Sequence, residues 1–419
     1  MGPEIARAIF GFAVFAGLAW TMSEMRRAFP WRTIALALGY QFVFALLLTR
    51  LPAITSALGV LAHGVDAVQS SATDGARFVF GYLGGGPEPY VRAPGAVSTF
   101  IFAFQALPAI LLVSALAALL WHWRMLQILV RGFAWLFGRL FGVSGAVGVS
   151  TSACIFLGMV EAPLLVRPLL SRISRGEIFI IMVDGMSVIA GSMMILLGSV
   201  LAPHLPNAFA HLLTASLIST PMAIGLARCV VPSDMSSAGA PLDLSSHYRS
   251  SLDALTTGTI NAIHMAANIV ALLIVFVGTV ALLNRGLGLV DVGGQPLSLG
   301  MIFGWVFAPI AWLMGAPMSD LTTIGGLLGS KVTLNEVVAY GQLAALPAGA
   351  LSAKGTLIAT YALCSFGNIG SVAILIGMLA AIVPEKAEDI VQLGPKALAT
   401  AFLTSCMTGS VIGVLYSLF

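Results

Sequence analysis

Four polar positions in apolar surroundings could do chemistry. Glu161 lies in LGMVEAP (157–163) and Glu336, beside Asn335, in NEVVA (335–339). Asp184 lies in VDGMSVIAGS (183–192), which also holds Ser187 and Ser192, and Asn368 in CSFGNIGS (364–371). An acid at membrane depth is costly and usually faces a bundle interior or a water-filled cavity. Pro163 has no N–H and suits the first turn of a helix. Glu161-Ala162-Pro163 therefore reads as the start of a half-helix at a re-entrant hairpin tip, with a dipole that favours an anion. Gly367 and Gly370 allow a helix to open around Asn368. Asn368, Ser365 and Ser371 then offer the donors and acceptors that a sugar hydroxyl needs, with Phe366 as an aromatic face. Plainer roles compete with each reading. They are a surface helix cap for Glu161, an ion pair with Lys331 for Glu336, small-residue packing for 364–371 and an interhelical hydrogen bond for Asp184.

The elements that hold these residues must lie in a bilayer. Of 419 residues, 58% are hydrophobic and 9% are charged, where soluble domains carry about 25%. Mean hydropathy is +0.99. So little charge cannot cover a water-facing surface, and the chain reads as an all-α multi-pass membrane protein. The net charge of +3 points to no nucleic acid. Cys154, Cys229, Cys364 and Cys406 are scattered in apolar stretches and suggest neither disulfides nor zinc.

A span needs roughly 20 apolar residues. Clean candidates are 5–22, 33–51, 98–121, 207–231, 259–283 and 396–419. The first follows Glu4 without a basic flank and reads as a retained span rather than a signal peptide. Arg26, Arg27 and Arg32 mark the first loop as cytoplasmic, which puts the N-terminus outside. The Gly/Pro loop 84–95 is then external, and Arg124, Arg131 and Arg139 are internal. Residues 124–142 keep those arginines on one face, as in a helix lying in the interface. Ser144–Ser152 and Ala316–Gly326 read as hairpin openings.

Residues 144–204 and 319–384 are apolar but broken by Gly, Ser, Thr, Pro and lone acids. Such breaks are tolerated where the freed backbone is buried or lines a cavity. The two stretches also resemble each other. GSMMILLG (191–198) matches GSVAILIG (370–377) at an offset of 179, and VEAPL (160–164) falls against NEVVA at an offset of 175. Repeated halves with matching interrupted helices are a transporter's signature and point to its binding site. The chain divides into scaffold helices and an interfacial helix (1–143), a first hairpin and interrupted helix (144–204), further scaffold helices and a connector (205–318), and a second hairpin, interrupted helix and last span (319–419). No HExxH or GxSxG occurs, and in GGLLGSK (325–331) the Lys follows the Ser, against the phosphate-loop order. His63, His122, His204, His211, His247 and His264 show no ligand spacing and read as loop or interface residues. No metal or cofactor is expected.

GMVEAPLLVRPLL, LLGSKVTLNEVVAY and ATYALCSFGNIGSVAILIG, in that order, resemble the concentrative nucleoside transporter family, in its bacterial branch. The resemblance runs from the first helix to the C-terminus. It implies a homotrimer in the inner membrane. Each protomer would have about eight spans, two re-entrant hairpins and two unwound helices in an inverted repeat. It implies nucleoside import on a sodium or proton gradient by an elevator-like movement past a scaffold. The family's ribose-binding positions match Glu336, Asn368 and Ser371, with Phe366 near sugar and base, and its first-hairpin acid matches Glu161. Four positions depart. Met159 and Val160 replace a Gln-Thr pair that helps hold the base, Cys154 replaces an Asn of the sodium site, and Asp184 replaces a Thr or Ser. Cys154 removes an oxygen that sodium would use, while Asp184 and Glu161 add protonatable groups. Both ions stay open, with Asp184, Ser187, Cys154 and Glu161 as coupling candidates. The other functional classes are an intramembrane enzyme using Glu161 and Asp184 as an acid–base pair, and a passive channel or non-transporting sensor. A duplicated architecture argues against the enzyme.

Overall fold

The computed structural model describes residues 2–27, 29–91, 100–232 and 248–418. Its order is α1 (Pro3–Thr21), α2 (Trp31–Arg50), α3 (Pro52–Phe80), α4 (Phe102–Gln105), α5 (Pro108–His122) and α6 (Met125–Phe141). The first hairpin follows as α7 (Gly145–Leu157), α8 (Glu161–Leu164) and α9 (Arg167–Leu170), then the broken pair α10 (Arg175–Ser187) and α11 (Gly191–Leu201). Next come α12 (Ala208–Val230), α13 (Ser251–Leu287), a two-residue antiparallel ribbon pairing Asp291–Val292 with Gln295–Pro296, and α14 (Leu299–Leu313). The second hairpin is α15 (Leu321–Thr333) and α16 (Glu336–Ala344), followed by the broken pair α17 (Ala353–Leu363) and α18 (Ile369–Ile382) and by α19 (Ala387–Leu418).

Among the described residues, seven helical stretches are long and apolar enough to cross a membrane, with α10–α11 counted as one. The interrupted α17–α18 makes an eighth. The 13-residue arms α7 and α15 are about 20 Å long, against about 30 Å of hydrocarbon, so neither hairpin arm can span.

The expected spans are present as helices, with four differences. The third begins with the separate turn α4 and is helical as α5 from Pro108, and the expected start at residue 98 lies outside the described residues. The fifth, 259–283, is extended to 37 residues as α13, about 56 Å, and the sixth, 396–419, starts nine residues earlier as α19 (Ala387–Leu418). Helix α3 was not expected. Its 29 residues are rich in Gly, Ser, Thr and Asp, and helicity without an apolar run leaves no span signal. The stretch 124–142, read as an interfacial helix, forms α6. Of the loop 84–95, residues 92–95 lie outside the described residues.

Helix directions follow from polar contacts at the ends. Glu24, just after α1, accepts from Arg175 at the start of α10 (3.3 Å) and from Lys396 of α19 (2.9 Å), and Arg175 also pairs with Asp389. At the other end of α1, Glu4 pairs with Lys354 at the start of α17 (2.5 Å), and Arg7 lies over the Trp312 ring. Thus α10 starts where α1 ends, and α17 starts where α1 starts. The two broken helices run in opposite directions, which makes the repeat inverted.

Burial separates two kinds of helix. The apolar windows of α10–α11 and of α19 are each 89% buried, that of α13 only 6%. Helix α12, within the stretch 205–318 read as scaffold, packs against α2, α10, α11 and α19. Helix α13 lies mainly against α5 and leaves the rest of its surface outward.

Candidate functional site

The two helix breaks meet. Residues 188–190 and 364–368 leave helical geometry, and the Phe366 backbone N–H donates to Val188 O at 3.3 Å. Ser216 of α12 ties both breaks, accepting from Ile189 N–H (3.5 Å) and lying 3.7 Å from Cys364 Sγ. Backbone groups freed by unwinding thus find partners across the pseudo-symmetry, as buried backbone must.

On the second half, the hairpin tip is Leu334–Asn335. Asn335 caps α16, its Oδ1 accepting from Val338 N–H at 2.9 Å. Glu336 is 5% exposed, and its Oε2 accepts from Asn368 Nδ2 at 2.9 Å. Asn368 Oδ1 in turn accepts from Ser371 N–H at 2.8 Å, which caps α18. Glu336, Asn368 and Ser371 therefore form one buried unit, with half-buried Phe366 on the same break. The Ser365 hydroxyl is buried without a partner among the described residues. Lys331 does not pair with Glu336. Its fully buried ammonium donates to Ala362 O (3.1 Å) at the end of α17 and to Ser405 Oγ (2.8 Å) on α19. The proposed ion pair gives way because the last carbonyls of a half-helix have no intrahelical donor and attract a cation.

On the first half, the tip turns at Gly158, whose φ of +95° favours glycine. A Cβ there would fall 2.8 Å from Ala190 Cβ and 3.7 Å from Glu161 Oε2, so Glu161 lies beside the first helix break. The half-helix expected after Glu161 is the four-residue α8, with α9 following after a kink. Four residues add little macrodipole, and Pro163 and Pro168 both withhold N–H groups. Met159 is buried against Gly185, and Val160 is half-buried.

The coupling candidates cluster nearby. Cys154 Sγ donates to Gly158 O at 3.7 Å. Among the described residues, both Asp184 oxygens are buried without a hydrogen bond. The Cys154 thiol and Thr220 hydroxyl lie beside them, but neither has bonding geometry. The Thr220 and Ser150 hydroxyls are likewise unpartnered. Ser187 departs from the group, because its hydroxyl donates to Val183 O of its own helix at 2.7 Å.

A cavity of about 200 Å³ opens beside Glu161. Phe156, Leu157, Leu164 and Ser192 form one wall; Ser114 and Trp121 of α5 and Gly258, Asn261 and Met265 of α13 form the other. Glu336, Asn368 and Phe366 do not line it. Sequence reasoning passed over Lys331 as more than a local partner, and over Thr220 and Asn261. A lone amide inside the apolar stretch 259–283 was the available signal for Asn261. His211 and His264, read as loop or interface residues, lie inside α12 and α13, and His211 Nδ1 is 3.1 Å from Tyr361 Oη. His247 lies outside the described residues.

Opposed hairpins, crossed helix breaks and buried acids define a secondary transporter built from an inverted repeat. Two known sequence families match the chain. "Na+ dependent nucleoside transporter N-terminus" covers residues 10–83, and "Na+ dependent nucleoside transporter C-terminus" covers residues 211–413. The chain is 34% identical to the putative nucleoside permease NupX of Escherichia coli, over 98% of both chains. It is 33% identical to the nucleoside permease NupC of Helicobacter pylori, over 98% of this chain and 97% of that one. Sodium/nucleoside cotransporter 1 of Rattus norvegicus is 32% identical over 99% of this chain and 64% of that longer one. Among solved structures, CNTnw in an inward-facing substrate-bound state matches with a TM-score of 0.87 at 30% identity, over 99% of this chain and 98% of that one. A doubly substituted CNTnw in an outward-facing state matches with a TM-score of 0.89 at the same identity and coverage. The chain belongs to the concentrative nucleoside transporter family and is a transporter, not an enzyme.

Proposed function

We propose that this chain imports nucleosides, or solutes with an intact ribose, across the bacterial inner membrane on a cation gradient. The hydrogen bond between Glu336 and Asn368 carries the reading, because it joins a hairpin tip to a broken helix and presents a carboxylate and an amide together. These groups, with Ser371, suit a sugar diol, while Phe366 offers a face to sugar or base. Glu161 closes the site from the first hairpin, and Asn335 acts by fixing the start of α16. Met159 and Val160 leave the base end apolar. The protomer works within a homotrimer with its N-terminus outside. The repeats move as one elevator unit against a scaffold containing α5 and α13, and the cavity beside Glu161 lies at that boundary.

The coupling cation is taken near Asp184 and Cys154, with Glu161 adjoining. A buried ionised carboxylate without hydrogen bonds costs several kcal/mol, so Asp184 requires either a proton or a bound cation. The family's name favours sodium, while Cys154 and Asp184 favour a proton. Proteoliposomes carrying an inward sodium gradient at equal pH, or an inward proton gradient without sodium, distinguish them, since accumulation follows only the true coupling ion. Glu336→Gln and Asn368→Ala should each reduce uptake at least tenfold with normal expression, consistent with roughly 1–3 kcal/mol for a lost buried partner. Unchanged uptake in both removes the sugar site.

A further inference from the structure

Met159 and Val160 supply no strong hydrogen-bonding atom, and neither lines the cavity beside Glu161. The cavity's polar atoms come from elsewhere, and one of them stands out. Asn261 is exposed, eleven residues into a helix whose apolar window is 6% buried, and its amide has no hydrogen-bond partner among the described residues. An unpaired amide at such a depth is costly unless water or a ligand meets it. Its position is fixed by packing. One turn earlier, Gly258 presses α13 onto α5, where a Cβ would fall 2.8 Å from Ser114 O and 2.9 Å from Ala115 Cα. Asn261 and Glu161 thus face one chamber from opposite walls. At about 200 Å³ the chamber is smaller than the 300–1,000 Å³ of drug-sized sites, and it suits one ring system rather than a whole nucleoside.

We propose that Asn261 reads the polar edge of the nucleobase. A side-chain amide offers a donor and an acceptor side by side, which matches a ring edge carrying a carbonyl next to an N–H. The proposal rests on the nucleoside reading above and adds a specificity residue from outside the hairpins. Glu161 belongs to the moving unit and Asn261 to the scaffold. The base edge is therefore read on one side of the cycle and released when the unit moves.

The test uses the full chain in proteoliposomes with two probe pairs, uridine with 3-methyluridine and inosine with 1-methylinosine. In each pair the methyl group removes the ring N–H. Wild type should show a KM about tenfold higher for the methylated member of at least one pair, equivalent to about 1.4 kcal/mol. Asn261→Leu should raise the KM of that pair's unmethylated member about tenfold, close the gap to within about twofold and leave the maximal rate little changed. Asn261→Thr serves the same purpose if the Leu variant expresses poorly. Asn268→Leu removes an equally exposed amide from the same helix outside the cavity and should leave both KM values unchanged. A gap that persists without Asn261, an equal loss from Asn268→Leu, or no gap in wild type overturns the proposal. Failure of wild type to take up any probe would instead remove the nucleoside reading itself.

Discussion

The two halves share a plan but treat their polar groups differently. In the second half Glu336 bonds Asn368 and Asn368 bonds the Ser371 N–H, and of the candidate sugar ligands there the Ser365 hydroxyl has no partner among the described residues. In the first half the tip is apolar, and Asp184 is buried with neither oxygen bonded. The offset of 179 carries Asp184 onto Leu363, so the second half has no such acid. A satisfied buried network rigidifies and positions; an unsatisfied carboxylate is held against its own solvation. On the proposed function, the second half grips the solute and the first changes its charge or its occupant.

The same contrast appears at the helix starts. Ser174 caps α10 through a local box with Glu177, whereas Ser352 caps α17 with help from Asp320, which accepts from Ser352 N–H (3.2 Å) and Oγ (2.5 Å) across 32 residues. One half makes its cap within a single turn. The other uses the cap to tie its hairpin to its broken helix.

Substitution at Asp184 sharpens the contrast most. Asp184→Asn should abolish cation-driven accumulation, a loss of at least about tenfold, while nucleoside exchange across liposomes continues. It should also raise thermal stability, since a buried group that wants a partner becomes neutral. Loss of exchange together with accumulation, or lower stability, would make Asp184 structural. The caps give the next effect. Asp320→Ala should cost about 2–3 kcal/mol by removing the charge-assisted hydrogen bonds that join the hairpin to α17, against about 1 kcal/mol for Ser174→Ala, as read from melting in detergent. Equal losses would deny the non-local tie its added weight.

The smallest effect concerns Glu24, which joins α1 to the start of α10. Burial pushes its carboxyl up, but hydrogen bonds and charge from Lys396 and Arg175 outweigh that and leave it below the ordinary value of 4.5. A carboxyl lowered in the folded state adds stability above the unfolded value and loses it as pH falls through the folded one. Glu24 is about a third exposed, so the gain is a few tenths of a kcal/mol. Glu24→Gln should flatten the acid limb of the melting profile below about pH 4.5 and leave neutral-pH uptake unchanged. An unaltered acid limb would remove the linkage.

Much of this molecule is legible locally. The cost of placing residues in lipid is a sum along the chain, so composition and apolar runs reveal the membrane class and most spans. Breaks advertise themselves through Gly, Asn and Ser, and the acids through their rarity, which is why Glu161, Asp184, Glu336 and Asn368 stood out. What escaped depends on partners distant in sequence. Lys331 lies five residues from Glu336, yet its ammonium chooses acceptors 31 and 74 residues away. The crossing of Val188 with Phe366, the reversal of α10 relative to α17 and the chamber shared by Glu161 and Asn261 exist only once helices pack. Periodicity records which side of a helix is oily, and tertiary packing decides which neighbour each polar group meets.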